Sequence, residues 1–182
     1  MESPPSLPTP DPKCPSRCAS RWPTTWPEAT SALIQTSSSI LEEKRASGSF
    51  CLGISGFSRP LHPSEEAKVR RALSVSMDEA LRQHPRDPVW LVSDATEQGV
   101  AGIAYAMARE RGMVRVGITA DEAMTHDIAE QDHIVPCGAK LGDEAETLVG
   151  VIDRLVVVGG GPGSEGVVRC ACDEGKEIVL VR

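Results

Sequence analysis

Short apolar runs alternate with longer amphipathic stretches from about residue 50 onward. The runs are FCLGIS, VWLVS, VRVGIT, LVVV and EIVLV, at 50–55, 89–93, 114–119, 155–158 and 177–181. Ile134 and Val135 form a shorter run. Strands that are apolar on both sides are typical of a parallel sheet covered on its two faces. The pattern predicts an α/β, Rossmann-like, doubly wound domain with a mostly parallel sheet and helices on both faces.

Helical spacing of apolar residues fills the intervals between these runs. It predicts helices over 64–84, with Ser64 as the N-cap, over about 99–109, from Gly142 onward, and from the end of the glycine turn to about Gly175. A weaker helix is predicted at 32–45. The polar stretch 121–132 shows no regular period and is predicted to be irregular.

The first 48 residues differ in composition from the rest of the chain. They hold eight of the 14 prolines and many serines, so we expect disorder to about Pro27. A WPTTWP unit begins at Trp22 and is interpreted as linker or as a short docking peptide. We therefore divide the chain into a Pro/Ser-rich tail, 1–48, and a folded domain, 49–182.

Composition narrows the classes of partner. The formal net charge of −7 argues against nucleic acid or an anionic membrane as a partner. No apolar run has the roughly 18–20 residues that span a bilayer, and the first residues lack a signal-peptide pattern, so we expect a cytoplasmic protein. The six cysteines are interpreted as reduced thiols. The acidic and histidine residues of 121–133 match no metal motif, so we expect no metal and no separate cofactor.

A glycine turn stands out in VVVGGGPGSEGVVRC, which begins at Val156. Its order of apolar run, glycines and helical pattern predicts a strand, a turn and a helix start. A helix N-terminus has unpaired N–H groups and binds anions. The alternative is a tight turn that binds nothing. As phosphate-binding candidates we take Gly160, Gly161, Gly163 and Ser164.

Two further junctions follow strands and contain glycine. In parallel sheets such junctions meet at the carboxyl edge, where ligands bind. From the first junction we take Ser55, Gly56 and Arg59 as ligand-binding candidates. From the second we take Asp94, Thr96, Gly99 and Gly102.

The turn GGPGS at 160–164 resembles the Gly-Gly-x-Gly-Thr turn of the LOG-like (SLOG) Rossmannoid family, once labelled lysine-decarboxylase-like. The likeness covers about residues 50–182. The resemblance implies a nucleotide or nucleotide-derived ligand, and its hydrolase members release base and ribose 5-phosphate from nucleoside monophosphates. They use an Arg on the preceding helix and a Glu two residues after the Thr. Here that helix has no Arg, and the acid stands at Glu165 instead of at 166.

Three hypotheses for function follow. The first is a binding module for a nucleotide-like ligand. The second is a phosphoribohydrolase with Glu165 or Glu144 as the catalytic carboxylate. The third is a scaffold with a degenerate pocket. The resemblance also implies a homodimer. We expect it to form through the helices around Ala104 and Val167.

Overall fold

Seven parallel strands form one sheet in the computed structural model, which describes residues 33–125 and 128–181. The order across the sheet is β1–β5–β4–β3–β2–β6–β7, and every neighbouring pair is parallel. The predicted fold class is therefore confirmed. The strands are β1 (Leu33–Ile34), β2 (Phe50–Gly56), β3 (Val89–Ser93), β4 (Val114–Thr119), β5 (His133–Pro136), β6 (Arg154–Val158) and β7 (Glu177–Val181).

Five helices cover the two faces of the sheet: α1 (Ser37–Ser47), α2 (Pro63–Gln83), α3 (Gly99–Glu110), α4 (Ala145–Val151) and α5 (Pro162–Asp173). Side chains alternate along each strand, so each strand supplies both cores. Leu52 and Leu91 pack with α2 and α3 on one face. Cys51 and Val92 pack with α1, α4 and α5 on the other.

The sheet reverses its direction of growth between β2 and β6. From β2 the chain adds β3, β4 and β5 on one side, and then crosses to add β6 and β7 on the other. At such a switch point the connections leave in opposite directions and open a crevice at the carboxyl edge of the sheet. The glycine turn after β6 and the end of β2 at Gly56 flank this crevice.

The segment before residue 49 is part of the packed structure as far back as Leu33. Strand β1 pairs with β5, and Ile40 of α1 is fully buried in the core. Thr36 caps α1 through a capping box with Ser39, and Lys44 reaches Asp153 at 2.7 Å. The predicted boundary at 48 thus does not coincide with the start of the packed residues. The predicted disorder to Pro27 and the WPTTWP unit lie outside the described residues.

The start of α2 corrects one detail of the sequence prediction. Ser64 is not the N-cap. That position belongs to His62, whose ring nitrogen accepts the backbone N–H of Ser64, and Pro63 is the first helical residue. Proline suits this position because its missing N–H has no partner there in any helix. Part of the stretch predicted to be irregular forms a short 3₁₀ helix, Asp121–Thr125. Among the helices that the structure describes, none has the length and apolarity to cross a membrane.

Candidate functional site at the carboxyl edge of the sheet

The glycines at this edge fall into two groups. A side chain at Gly56 would meet the carbonyl of Val158, and one at Gly159 would meet the Phe57 ring. Gly159 also has a φ of 70°, which favours glycine. At Gly160, Gly161 and Gly163, by contrast, a Cβ would meet nothing within 4 Å, and none of the three has a positive φ. The fold itself therefore does not require glycine at these three positions.

The first turn of α5 presents uncapped backbone amides to this open space. Gly161 is the N-cap and supplies no side-chain hydrogen bond, and Pro162 follows as the first helical residue. Backbone N–H groups at a helix start carry a partial positive charge and favour an anion. A cavity of about 680 Å³ adjoins the turn. It is lined by Val157, Gly159, Gly160, Gly161, Pro162, Ser164, Glu165, Val168, Arg169 and Leu180.

The Ser164 hydroxyl faces β2. It accepts a hydrogen bond from the Ser55 hydroxyl at 3.2 Å and donates to the backbone carbonyl of Gly56 at 3.3 Å. Ser164 is only 6% exposed. The hydroxyl thus fastens the start of α5 to the end of β2, and its proton is already used by the protein.

The guanidinium of Arg59 is already bound by neighbouring side chains. Its guanidinium donates to both oxygens of Glu65, at 2.9 and 3.1 Å, and lies 4.8 Å from the centre of the Phe57 ring. The hydrogen bond with Glu65 raises the pKa of Arg59, and the same bond lowers the pKa of Glu65 to about 2. The positive charge is therefore largely compensated by the carboxylate of Glu65 in the first turn of α2.

The loop after β3 orders the carboxylate of Asp94. One oxygen accepts the backbone N–H and the hydroxyl of Thr96, at 3.2 and 2.8 Å, and the other accepts the Ser58 hydroxyl at 3.4 Å. Ala95, between them, has a φ of 69° and is buried. Its carbonyl accepts the side-chain amide of Gln131 at 3.0 Å. These bonds fix the orientation of the Asp94 side chain.

Glu144 immediately precedes α4 and is half-buried. Burial raises its pKa, and the nearby carboxylates of Asp94 and Asp143 raise it further, against backbone N–H groups that lower it. Asp143 behaves in the opposite way, because the backbone N–H groups of Lys140 and Ala139 hold its pKa low. The structure therefore brings Asp94 and Glu144 within electrostatic reach of one another. The sequence marked each as a candidate but not their pairing.

Gly99 and Gly102 do not provide open space for a ligand at the crevice. A side chain at Gly99 would collide with the backbone of Phe57, and one at Gly102 with the carbonyl of Glu97. The first amide after Gly99, that of Val100, already donates to the Phe57 carbonyl at 2.8 Å. These glycines make room for the chain's own loops. Their outer sides line a small groove of about 230 Å³ between α2 and α3.

The second candidate carboxylate, Glu165, lies in a different environment from Glu144. It is exposed on α5 and lines the 680 Å³ cavity toward β7, together with Arg169 and Leu180. Neither Arg169 nor Leu180 was among the residues predicted from the sequence. The signal for Arg169 was its position one helical turn after Glu165, whereas nothing in the local sequence marked Leu180 as a cavity residue.

The helix faces expected to form a dimer are used inside the chain. Ala104 is fully buried and Val167 is 8% exposed, each in a core beneath its helix. A homodimer stays a prediction, but these two positions do not supply its surface. Of the acidic and histidine residues considered as metal ligands, His126 and Asp127 lie outside the described residues, and Asp132 pairs with Arg115 at 2.8 Å.

The chain matches no protein-family model and no curated protein sequence. Several solved structures are similar to it, and two of them follow. The structural genomics target TM1055 has a TM-score of 0.59 at 21% identity, over 73% of this chain and 74% of that one. The molybdenum cofactor binding protein of the phototrophic bacterium Rippkaea orientalis has a TM-score of 0.59 at 18% identity, over 72% and 76%. These likenesses show the fold, which is a Rossmann-like α/β domain.

Proposed function

We propose that this domain binds a nucleotide or a nucleotide-derived ligand, with a phosphate on the backbone amides of Gly161, Gly163 and Ser164. The observation that carries the proposal is the set of three glycines, Gly160, Gly161 and Gly163, whose side-chain positions are open. Glycine within a helix costs roughly 0.5–1 kcal/mol relative to alanine. Glycine at Gly163 therefore calls for a reason other than packing, and close approach of a ligand to the backbone supplies one.

Two further features support a phosphate at this turn. The helix start is uncapped, and a cavity of about 680 Å³ beside it lies in the size range of small-molecule sites. One protein of similar fold is a molybdenum cofactor binding protein, so this fold carries a binding function elsewhere. Ser164 serves in this arrangement to position the turn, and the amides hold the anion.

The test compares two glycines that are alike except in location. Gly163 lies in the first turn of α5, and Gly150 lies on α4, and neither has an atom within 4 Å of its Cβ position. We expect Gly163→Ala to weaken binding of ribose 5-phosphate and AMP at least tenfold in isothermal titration. Gly150→Ala is the control and leaves binding unchanged. Both variants keep or slightly raise the melting temperature, because alanine favours a helix.

Two results would contradict the proposal. One is the absence of any heat of binding for ribose 5-phosphate, AMP and GMP at millimolar concentration. The other is Gly163→Ala binding these compounds as tightly as the unaltered protein does.

A second function, nucleoside-monophosphate hydrolysis, is favoured by the pairing of Asp94 and Glu144. Burial raises the pKa of Glu144, which suits this carboxyl as a proton donor, and the ordered carboxyl of Asp94 lies nearby. Protonated Glu144 would give its proton to the departing base nitrogen as the C–N bond breaks. The side-chain oxygens of Asp94 would stabilise the positive ribosyl carbon until water adds its oxygen there and releases a proton.

Product analysis by liquid chromatography tests this second function. Release of base and ribose 5-phosphate from AMP or GMP is expected to fall at least a hundredfold in Glu144→Gln. Glu146→Gln, an exposed neighbour on α4, is the matched control. Glu165→Gln tests the other carboxylate separately. Intact nucleotides after prolonged incubation would remove the hydrolytic function and leave the binding function in place.

A further inference from the structure

The cavity beside α5 has an apolar wall at the edge of the sheet. Val157 of β6, Val168 of α5 and Leu180 of β7 line it. Leu180 is 64% exposed, although large aliphatic side chains are usually covered. An apolar wall next to a phosphate-binding turn offers a surface on which the ring of a nucleotide can lie.

Two opposite charges line the same cavity without pairing with one another. Glu165 and Arg169 are four residues apart on α5, and neither side chain has a hydrogen-bond or ion-pair partner in the part of the chain that the structure describes. The same Glu-to-Arg spacing on α2 behaves differently, since Glu66 and Arg70 pair at 2.8 Å. Such neighbours on a helix are about 5–6 Å apart at Cβ. Both groups on α5 are thus available to a ligand.

Resting on the proposed phosphate site, we infer that this cavity takes a guanine-type ring, one with a 2-amino group and a 6-oxo group. The carboxylate of Glu165 accepts the N1–H and the 2-amino group, and the guanidinium of Arg169 donates to O6 and N7. Arginine makes this paired contact with guanine better than with adenine, whose 6-amino group is itself a donor. Adenine also lacks the two adjacent donors that a carboxylate requires.

The spacing along α5 suits one mononucleotide. Arg169 lies eight residues after Gly161, which corresponds to about 12 Å along the helix axis. Arginine side chains on a helix lean toward its N-terminus, and so toward the phosphate turn. A phosphate on the turn therefore places the base of an attached nucleotide against the Leu180 wall, within reach of Glu165 and Arg169.

Isothermal titration with three probes tests this inference. The unaltered protein is expected to bind GMP at least tenfold more tightly than AMP, while ribose 5-phosphate binds through the turn alone. Arg169→Ala and Glu165→Gln each reduce GMP affinity about tenfold, toward that of AMP, and leave ribose 5-phosphate unchanged. Leu180→Ala weakens GMP and AMP alike. Arg70→Ala and Glu66→Gln, from the paired residues of α2, change none of these values.

Other outcomes of these titrations would contradict the guanine assignment, the phosphate site or both. Equal affinity for GMP and AMP overturns the guanine assignment, and so does an Arg169→Ala variant whose ratio of GMP to AMP affinity is unchanged. If ribose 5-phosphate still binds in either case, the proposed phosphate site is retained. If neither ribose 5-phosphate nor any nucleotide binds, the phosphate site fails and the guanine assignment fails with it.

Discussion

The hydroxyl of Ser55 donates to that of Ser164 at 3.2 Å across the point where the sheet reverses direction. Ser164 in turn donates to the Gly56 carbonyl at 3.3 Å. Residues far apart in sequence, one ending β2 and one starting α5, are thus joined by a short chain of hydrogen bonds. These hydrogen bonds fix the position of the glycine turn relative to the crevice.

We predict that Ser164→Ala lowers stability and spares binding. The substitution removes both hydrogen bonds of the Ser164 hydroxyl, so the free energy of unfolding in urea falls by about 1–2 kcal/mol. The affinity for ribose 5-phosphate stays within about threefold, because the amides and not the hydroxyl hold the phosphate. Ser55→Ala, which leaves the bond from Ser164 to Gly56, is the milder comparison. A tenfold loss of affinity without loss of stability would place the hydroxyl on the ligand instead.

The layers of the fold could be predicted from the sequence. β3 and β4 begin and end where their apolar runs do, since strands buried on both faces are largely apolar along their length. β7 also matches its run, although it is only partly buried. The two-residue strand β1 was missed because a run that short has no period. The α2 cap was misplaced because histidine is not among the usual capping residues.

The candidate site was predicted in outline, and the contacts that decide each residue's role were not. The turn at Gly160 was found because glycine followed an apolar run. Whether a glycine faces open space or another loop depends on tertiary packing, which separates Gly163 from Gly99. Likewise the compensation of Arg59 by Glu65 and the approach of Glu144 to Asp94 depend on loop conformation, which carries little sequence signal.

Substitution by alanine is predicted to change stability at one of two neighbouring glycines and not at the other. Gly159 has a positive φ, and its Cβ would overlap the Phe57 ring, so Gly159→Ala lowers the free energy of unfolding by about 2 kcal/mol or more. Gly160→Ala leaves stability within about 0.5 kcal/mol, because its Cβ meets nothing. Thermal unfolding of the two variants side by side measures the difference. Equal destabilisation would show that the turn packs differently.

The raised pKa of Glu144 predicts a pH dependence with a definite sign. Its pKa in the folded state lies above the ordinary 4.5, so the stability it contributes is full below 4.5 and is lost as pH rises through the folded value. Glu144→Gln removes this loss. The variant is therefore expected to equal the unaltered protein below pH 4.5 and to exceed it in stability at neutral pH.

Asp143 provides the opposite control for that experiment. Its pKa is held below the ordinary 3.8 by backbone N–H groups, so its contribution is present above that value and is lost as pH falls. Asp143→Asn is expected to be less stable than the unaltered protein at neutral pH, and the difference closes in acid. Urea unfolding at a series of pH values measures both variants. A Glu144→Gln variant that is less stable at neutral pH would contradict the assignment.

The ion pair of Arg115 and Asp132 is predicted to stabilise the loop that orders Asp94. Arg115 is 9% exposed and donates to both oxygens of Asp132, at 2.8 and 3.1 Å, and to the Glu130 carbonyl at 3.0 Å. These bonds hold the segment whose Gln131 binds the Ala95 carbonyl. Asp132→Ala leaves the buried guanidinium with the Glu130 carbonyl and a Glu130 carboxylate 3.9 Å away, and lowers the free energy of unfolding by about 1–3 kcal/mol.

A second substitution separates the loss of the pair from the cost of an unpaired charge. In the double variant Arg115→Met and Asp132→Ala no charge is left buried, so at least half of the lost stability is expected to return. Chemical denaturation of the single and double variants measures this recovery. If the double variant is as unstable as Asp132→Ala alone, the bond from Arg115 to the Glu130 carbonyl holds the segment. The contribution of Arg115 is then the positioning of Gln131 beneath Ala95 instead of compensation of charge.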